Sequence, residues 1–439
     1  MHTAAREEVL QKAREYDVKF IRLQFTDIFG VFKNIAVTVE ELPRALAGRV
    51  MFDSSVIEGF VENRESDIYL QPDPSTFVVF PWRPRDGAVA RLICDVQTSR
   101  GEPYSACSRA VLKKVLQRAR RMGLDFKVGA QIEFFLFHTD AQGKPTVLTH
   151  DRAGYCDLSP VDLGENARRD MVLTLQEMGF EVSSSHHEIA PGQHEIFIKE
   201  NDALVTADNI ATFKFVVRTI AQRHGLHASF MPRPLDVYNG SGMHLHQFLW
   251  REGENAFYHP ADSRRLSPLA YSYIAGLVVH AGALTAIANP LVNSYKRLTP
   301  SDLAPVLAAW SEENRATMLR VPAMREEGTR VVLRSPDPAA NPYLTLAVSL
   351  AAGLDGIERG LKPPPPLGEN GANLRELMRR TGLPRHLSAA LSALAADGEI
   401  RRVLGEHIIT RYLAAKEDEW ERYQSRVHQW ELDEYLTNF

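Results

Sequence analysis

Three carboxylates and two histidines of this chain fall at spacings that chemistry can use. In K-V-G-A-Q-I-E-F-F-L-F, residues 127–137, a period of two puts Gln131 and Glu133 on one face of a strand. Val128, Ala130, Ile132 and Phe134 take the other face. In S-H-H-E-I-A-P-G-Q-H-E-I-F-I, residues 185–198, two strand-like runs flank Pro191-Gly192, a turn signal. A hairpin closing there sets Glu188 opposite Glu195, with Cβ atoms roughly 5 Å apart. Carboxylates that close repel unless a cation or a shared proton lies between them. An oxygen-rich site of this kind suits Mg²⁺ or Mn²⁺; two solvated charges on an open hairpin are the plainer reading of the same spacing.

Two further segments add donors. In N-G-S-G-M-H-L-H-Q-F, residues 239–248, the period of two aligns His244, His246 and Phe248, and the glycines before them let backbone approach a ligand closely. The arginines Arg297, Arg315, Arg320, Arg330 and Arg334 form a series whose planar guanidinium groups suit carboxylate or phosphate. Such runs usually decorate a solvated face. Here R-V-V-L-R sets Val332 between Arg330 and Arg334 on one side of a strand.

These residues need a scaffold that alternates strand and helix. Residues 3–16 read as an amphipathic helix, and V-K-F-I-R-L-Q-F-T-D and F-K-N-I-A-V-T-V as half-buried strands. A chain of 439 residues is long for one core. The turn-rich stretch at 100–108 marks a boundary, giving domains over 1–102 and 103–439. The uncharged run from Tyr271 to Val292 holds Gly276, His280, Gly282, Asn289 and Pro290, so it is expected to be a buried helix and no membrane span. A net charge of −4 argues against a nucleic-acid partner. Three scattered cysteines exclude a disulfide framework and fit a cytoplasmic setting.

The chain resembles the type I glutamine synthetases from end to end. The resemblance rests on M-F-D-S-S-V-I-E-G-F (51–60), E-S-D-I-Y-L-Q-P-D-P-S-T-F (65–77), D-L-S-P-V-D-L-G-E-N-A-R-R-D (157–170), the hairpin and glycine segments above, N-P-L-V-N-S-Y-K-R-L-T-P and P-D-P-A-A-N-P-Y-L. It implies an α+β protein with a small N-terminal β-grasp domain and a larger catalytic domain. It also implies a dodecamer of two hexameric rings with active sites between neighbours. The reaction it implies is phosphoryl activation of the glutamate γ-carboxylate by ATP, followed by displacement with ammonia. By the same resemblance Glu133, Glu188 and Glu195 hold one divalent metal, and Asn239, Gly240, Arg297 and Arg334 hold glutamate. Arg315 and Arg320 face phosphate, with His246, Phe248 and Arg330 on the nucleotide side; Asp53 helps deprotonate ammonium, and Arg297 and Arg315 act with it in catalysis.

The second metal set departs from the pattern, offering Gln131, His244 and Val332 where two glutamates and a histidine are expected. Leu303 replaces a glutamate on a flap, with Asp302 one place out of register, and Phe248 replaces a serine near the nucleotide. Glu62 stands where the feedback-regulated subgroup has an arginine. These departures lead to the expectation of a divergent single-metal enzyme acting on glutamate, a related acid or a γ-glutamyl-type amide, one Mg²⁺ or Mn²⁺ per subunit, with ATP use doubtful and ordinary glutamine synthesis impaired. The alternatives are a non-catalytic ring that senses glutamate or glutamine, and a ligase whose substitutions are compensated by Asp302, Glu312, Glu326 or Glu327.

Overall fold

The computed structural model describes residues 2–58, 67–83, 86–300, 304–368 and 374–439. Glu62, Asp302 and Leu303 lie outside them. Two sheets organise the chain. The first takes the strands Phe32–Thr38, Val18–Thr26, Ala88–Gln97, Asp67–Pro72 and Val50–Asp53 in that order, with Val78–Val79 added against Ala88–Gln97. Val18–Thr26 runs parallel to Ala88–Gln97 and antiparallel to Phe32–Thr38. The alternation of Ile21 and Leu23, both fully buried, against half-exposed Arg22 gives this sheet one core face.

The second sheet carries the chemistry. Its order is Leu307–Ser311, Thr317–Arg320, Val331–Leu333, Met243–Arg251, Asp125–Thr139, Gln193–Asp202 and Val182–His187. Val128, Ala130, Ile132 and Phe134 are wholly buried beneath it, against helices such as Ala203–Arg223. The same strand therefore turns Gln131 and Glu133 to the opposite face. Cross-strand register extends that face: Glu133 pairs with Glu195, Gln131 with Phe197 and His244, and Val332 with His246 and Arg320.

A buried arginine ties the two sheets together. Arg109, on the helix Ser108–Arg121, bonds Asp73 at 2.8 Å, Asp95 at 3.1 Å and Asp208 at 2.9 and 3.0 Å. The first two acids belong to the N-terminal sheet region and the third to the helix Ala203–Arg223. Gly30 meets Asn341 so closely that a Cβ would lie 2.6 Å from its Cα, and its φ of +82° favours glycine.

Two readings of the sequence need correction. The run Tyr271–Val292 is not one helix. Helices Pro268–Val279 and Ala281–Ala288 meet at His280 with a 71° bend, and His280 is held there by Asp355 at 3.1 Å and Asp397 at 2.6 Å. Among the described residues no single helix is long and apolar enough to cross a membrane. The hairpin register also differs: His186 stands opposite Glu195, and His187 opposite His194. Ladder pairing ends before Glu188, whose N–H donates to the Gln193 carbonyl at 2.7 Å. The turn is wider than a two-residue loop because Gln193 N–H closes onto the Ala190 carbonyl and Gly192 N–H is drawn to Asp151 Oδ1.

Candidate active site

A cavity of about 640 Å³ opens over the polar face of the second sheet. Carboxylates line it, from Glu133, Glu188 and Glu195, together with arginines, from Arg297, Arg315, Arg320 and Arg334. Asn239, Gly240 and His244 line it as well. Asp53, His246, Phe248, Arg330 and Val332 do not. Asp53 caps its own turn through Ser55 N–H at 2.6 Å. Phe248 is buried under the Arg330 guanidinium, 5.9 Å from its ring centroid.

The carboxylates belong to two overlapping sets of metal-competent groups. In one, ligand atoms of Glu133, Glu195 and His244 lie within 4.8 Å of one another; in the other, those of His186, Glu188 and Glu195 do. Glu195 belongs to both. Burial first, and then the charge of Glu188, raises the Glu133 carboxyl above the ordinary carboxylate range. Burial and the charges of Glu133 and Glu188 raise Glu195 in the same way. His244 is held neutral by burial and by Arg334 and Arg297, which leaves a lone pair free for a metal. Crowded, buried, mutually repelling oxygens beside a neutral imidazole fit a hard divalent cation.

This has a pH consequence. With Glu133 and Glu195 raised, the metal-free fold holds protons that the unfolded chain has released above about pH 4.3. Its stability therefore falls as pH rises through the folded values. A cation must displace those protons, so Mn²⁺ affinity is expected to climb from pH 6 to pH 8, by about tenfold per pH unit for each proton released. Calorimetry across that range checks it; a flat profile would mean that the carboxylates are already ionised.

Gln131 sits in a directed relay. Arg330 Nε donates to His246 Nδ1 at 3.0 Å, which leaves the proton on Nε2, 2.7 Å from Gln131 Oε1. Gln131 Nε2 then donates to Glu195 Oε1 at 3.0 Å. Burial and Arg330 hold His246 down to about 3, in keeping with a neutral ring. The amide thus stabilises a carboxylate that a second carboxylate at this place would repel.

Reading by period and spacing missed three neighbours. His186 Nε2 is 3.1 Å from Glu188 Oε1, and the correct hairpin register would have revealed it. Tyr155 sets its ring edge against His186, 5.3 Å between centroids. Gln193, fully buried, donates to Glu133 Oε2 at 3.1 Å and the Gly240 carbonyl at 3.2 Å, and accepts from Asn239 at 3.0 Å. It joins Glu133 to the glycine loop, and no period marks it. Close approach explains the loop's composition: a Cβ on Gly242 would lie 2.5 Å from Arg297 Nη2, and one on Gly240 2.0 Å from the Pro232 carbonyl.

The fold and this face define the class, and sequence models agree. Residues 17–99 match the model described as glutamine synthetase, beta-Grasp domain, and 105–435 match glutamine synthetase, catalytic domain. The chain belongs to the glutamine synthetase family. It is 51% identical to a glutamine synthetase of Clostridium saccharobutylicum, covering 99% of each chain. It is 53% identical to that of Thermus thermophilus, covering 98% of this chain and 99% of the other. A solved GmaS–ADP complex superposes with a TM-score of 0.87 at 33% identity, covering 98% of this chain and 99% of its own.

These relatives overturn the functional expectation. Chains about half identical over their whole length are glutamine synthetases by name, which supports ordinary glutamine synthesis in place of a divergent, impaired activity or a sensing ring. The doubt over ATP goes with it. A second ion does not require a full set of protein ligands. Mg²⁺ keeps several waters and takes phosphate oxygens from its nucleotide, so one or two protein groups can suffice.

Proposed function

We propose that the chain is an ATP-dependent ligase that makes glutamine from glutamate and ammonia. The observation that carries this reading is full-length identity of 51–53% to glutamine synthetases, joined to a cavity lined by both carboxylates and arginines. Glu133, Glu188 and Glu195, with His244 and His186 beside them, would hold divalent metal. Bound there, the metal supplies positive charge against the phosphoryl group and the acids around it. Arg334 and Arg297, with Asn239 and Gly240, orient glutamate so that a γ-carboxylate oxygen attacks the terminal phosphorus of ATP and ADP leaves. Arg315 and Arg320 hold the transferred phosphoryl oxygens. Ammonium then gives up a proton, its nitrogen attacks the acyl carbon, and phosphate departs.

Hydroxylamine tests the intermediate. In place of ammonia it should yield γ-glutamyl hydroxamate, with ADP formed in equal amount; hydroxamate without ATP consumption would rule out phosphoryl activation.

We also propose a division of the chain after residue 102, a cytoplasmic setting supported by three free cysteines, and a dodecamer of two hexameric rings. Asp53 lies away from the cavity of its own chain, which suits a site completed by a neighbour. A ring oligomer is expected in analytical ultracentrifugation, and a monomer at micromolar concentration would contradict it.

A further inference from the structure

A second large concavity, about 820 Å³, lies between the N-terminal sheet and the helix Ala203–Arg223, and shares no lining residue with the active-site cavity. Its cations are Arg22, Lys33, Arg83, Lys214, Arg218 and Lys416; no aspartate or glutamate is among its lining residues. Only two of the six have a carboxylate partner among the described residues: Lys33 reaches Asp27 at 3.6 Å and Lys416 reaches Glu419 at 2.7 Å. Arg22 Nη1 donates to Asn34 Oδ1 at 3.0 Å. Lys214 Nζ donates to the carbonyls of Pro338 and Ala340 at 3.1 and 3.2 Å, and burial pushes it down to about 8. Arg218 lies over Phe230, 5.2 Å from the ring centroid.

An aromatic cluster completes the cavity. Phe80 stacks on Trp82 at 4.6 Å, and Phe215 sets its ring against Trp82 at 5.5 Å. Cations on a concave wall of low polarity reinforce one another and concentrate anions. Among the described residues four of these six lack a carboxylate partner, although the chain as a whole carries a net charge of −4. The imbalance is local. Guanidinium forks from a strand, a loop and a helix, Arg22, Arg83 and Arg218, match paired oxygens of carboxylate or phosphate.

We propose that this cavity binds a small polyanion, a dicarboxylate or a phosphate compound, at a site separate from the active site. Each such ligand offers several oxygens and would bridge the N-terminal sheet to the catalytic part. A nucleic acid fits poorly, because the cations line one cavity and not an extended stripe.

The test uses the full-length protein with two probes, inorganic pyrophosphate and glutarate. Arg320→Ala with Arg334→Ala weakens anion binding in the active site, where Arg297 and Arg315 remain, so the binding assigned to the second cavity is the part, read by calorimetry and tryptophan emission, that depends on Arg83 and Arg218. One equivalent of at least one probe per chain is expected to bind this protein and to change its emission. The stronger probe distinguishes phosphate from dicarboxylate. Adding Arg83→Gln and Arg218→Gln should weaken binding about tenfold or more. In the same Arg320→Ala, Arg334→Ala background, Trp82→Phe should abolish the emission change while binding persists, and an emission change that survives would place the bound probe elsewhere. Saturable binding of neither probe, or equal binding after Arg83 and Arg218 are changed, would overturn the proposal.

Discussion

Glu195→Ala is expected to abolish divalent-ion binding and to lower glutamine synthesis by at least about 10³-fold. Glu195 is the group common to both metal-competent sets, so its loss dismantles them together. The variant also leaves Gln131 Nε2 without its acceptor. Stability should move the other way. Glu195 is itself pushed up by burial and by the charges of Glu133 and Glu188, so removing this unfavourably placed acid should leave the metal-free variant melting no lower than the metal-free parent. Glu195→Gln keeps the shape and should share the loss of activity. Retained Mn²⁺ affinity in either variant would show that Glu195 is no ligand. A lower metal-free melting temperature would mean that it serves the fold.

Arg334→Ala is expected to raise the glutamate KM about 10²-fold, with a smaller change in kcat, because a charge-assisted, two-pronged contact is lost. Burial, and then Arg297, Arg320 and Arg315, push this guanidinium down to about 10. Four cations line the cavity, and an incoming carboxylate or phosphoryl group offsets their repulsion. Arg334 Nη1 is fixed by the Arg315 carbonyl at 2.8 Å, so the fork is set before substrate arrives. Arg334→Lys should recover little, since an ammonium cannot reproduce both prongs. An unchanged KM in Arg334→Ala would remove it from the substrate pocket.

Period two found the floor of this site well. It placed Gln131 and Glu133 away from the buried Val128, Ala130, Ile132 and Phe134; it aligned His244 with His246 and Phe248, and of those three only His244 lines the cavity. It failed at the hairpin, because alternation says which face a residue takes but not where a loop closes. Asp151, distant in sequence, captures Gly192 N–H and moves the register, so His186 and not Glu188 faces Glu195. Gln193 was invisible for a similar reason: its role comes from contacts to Glu133, Asn239 and Gly240, which only the fold brings together. The 71° bend at His280 was also hidden, since it depends on Asp355 and Asp397 far along the chain. The largest error lay in chemistry. Gln131 and Val332 read as lost charge in the sequence, which does not show the ligands that the nucleotide itself brings to a metal.

Glutamine synthesis itself is tested most directly by stoichiometry at saturating glutamate, ammonium, ATP and Mg²⁺. The expected result is one glutamine, one ADP and one phosphate per turnover, with no product when any one substrate is left out. Folded, metal-loaded protein that forms no glutamine under those conditions, or that forms it without consuming ATP, would contradict the proposed function.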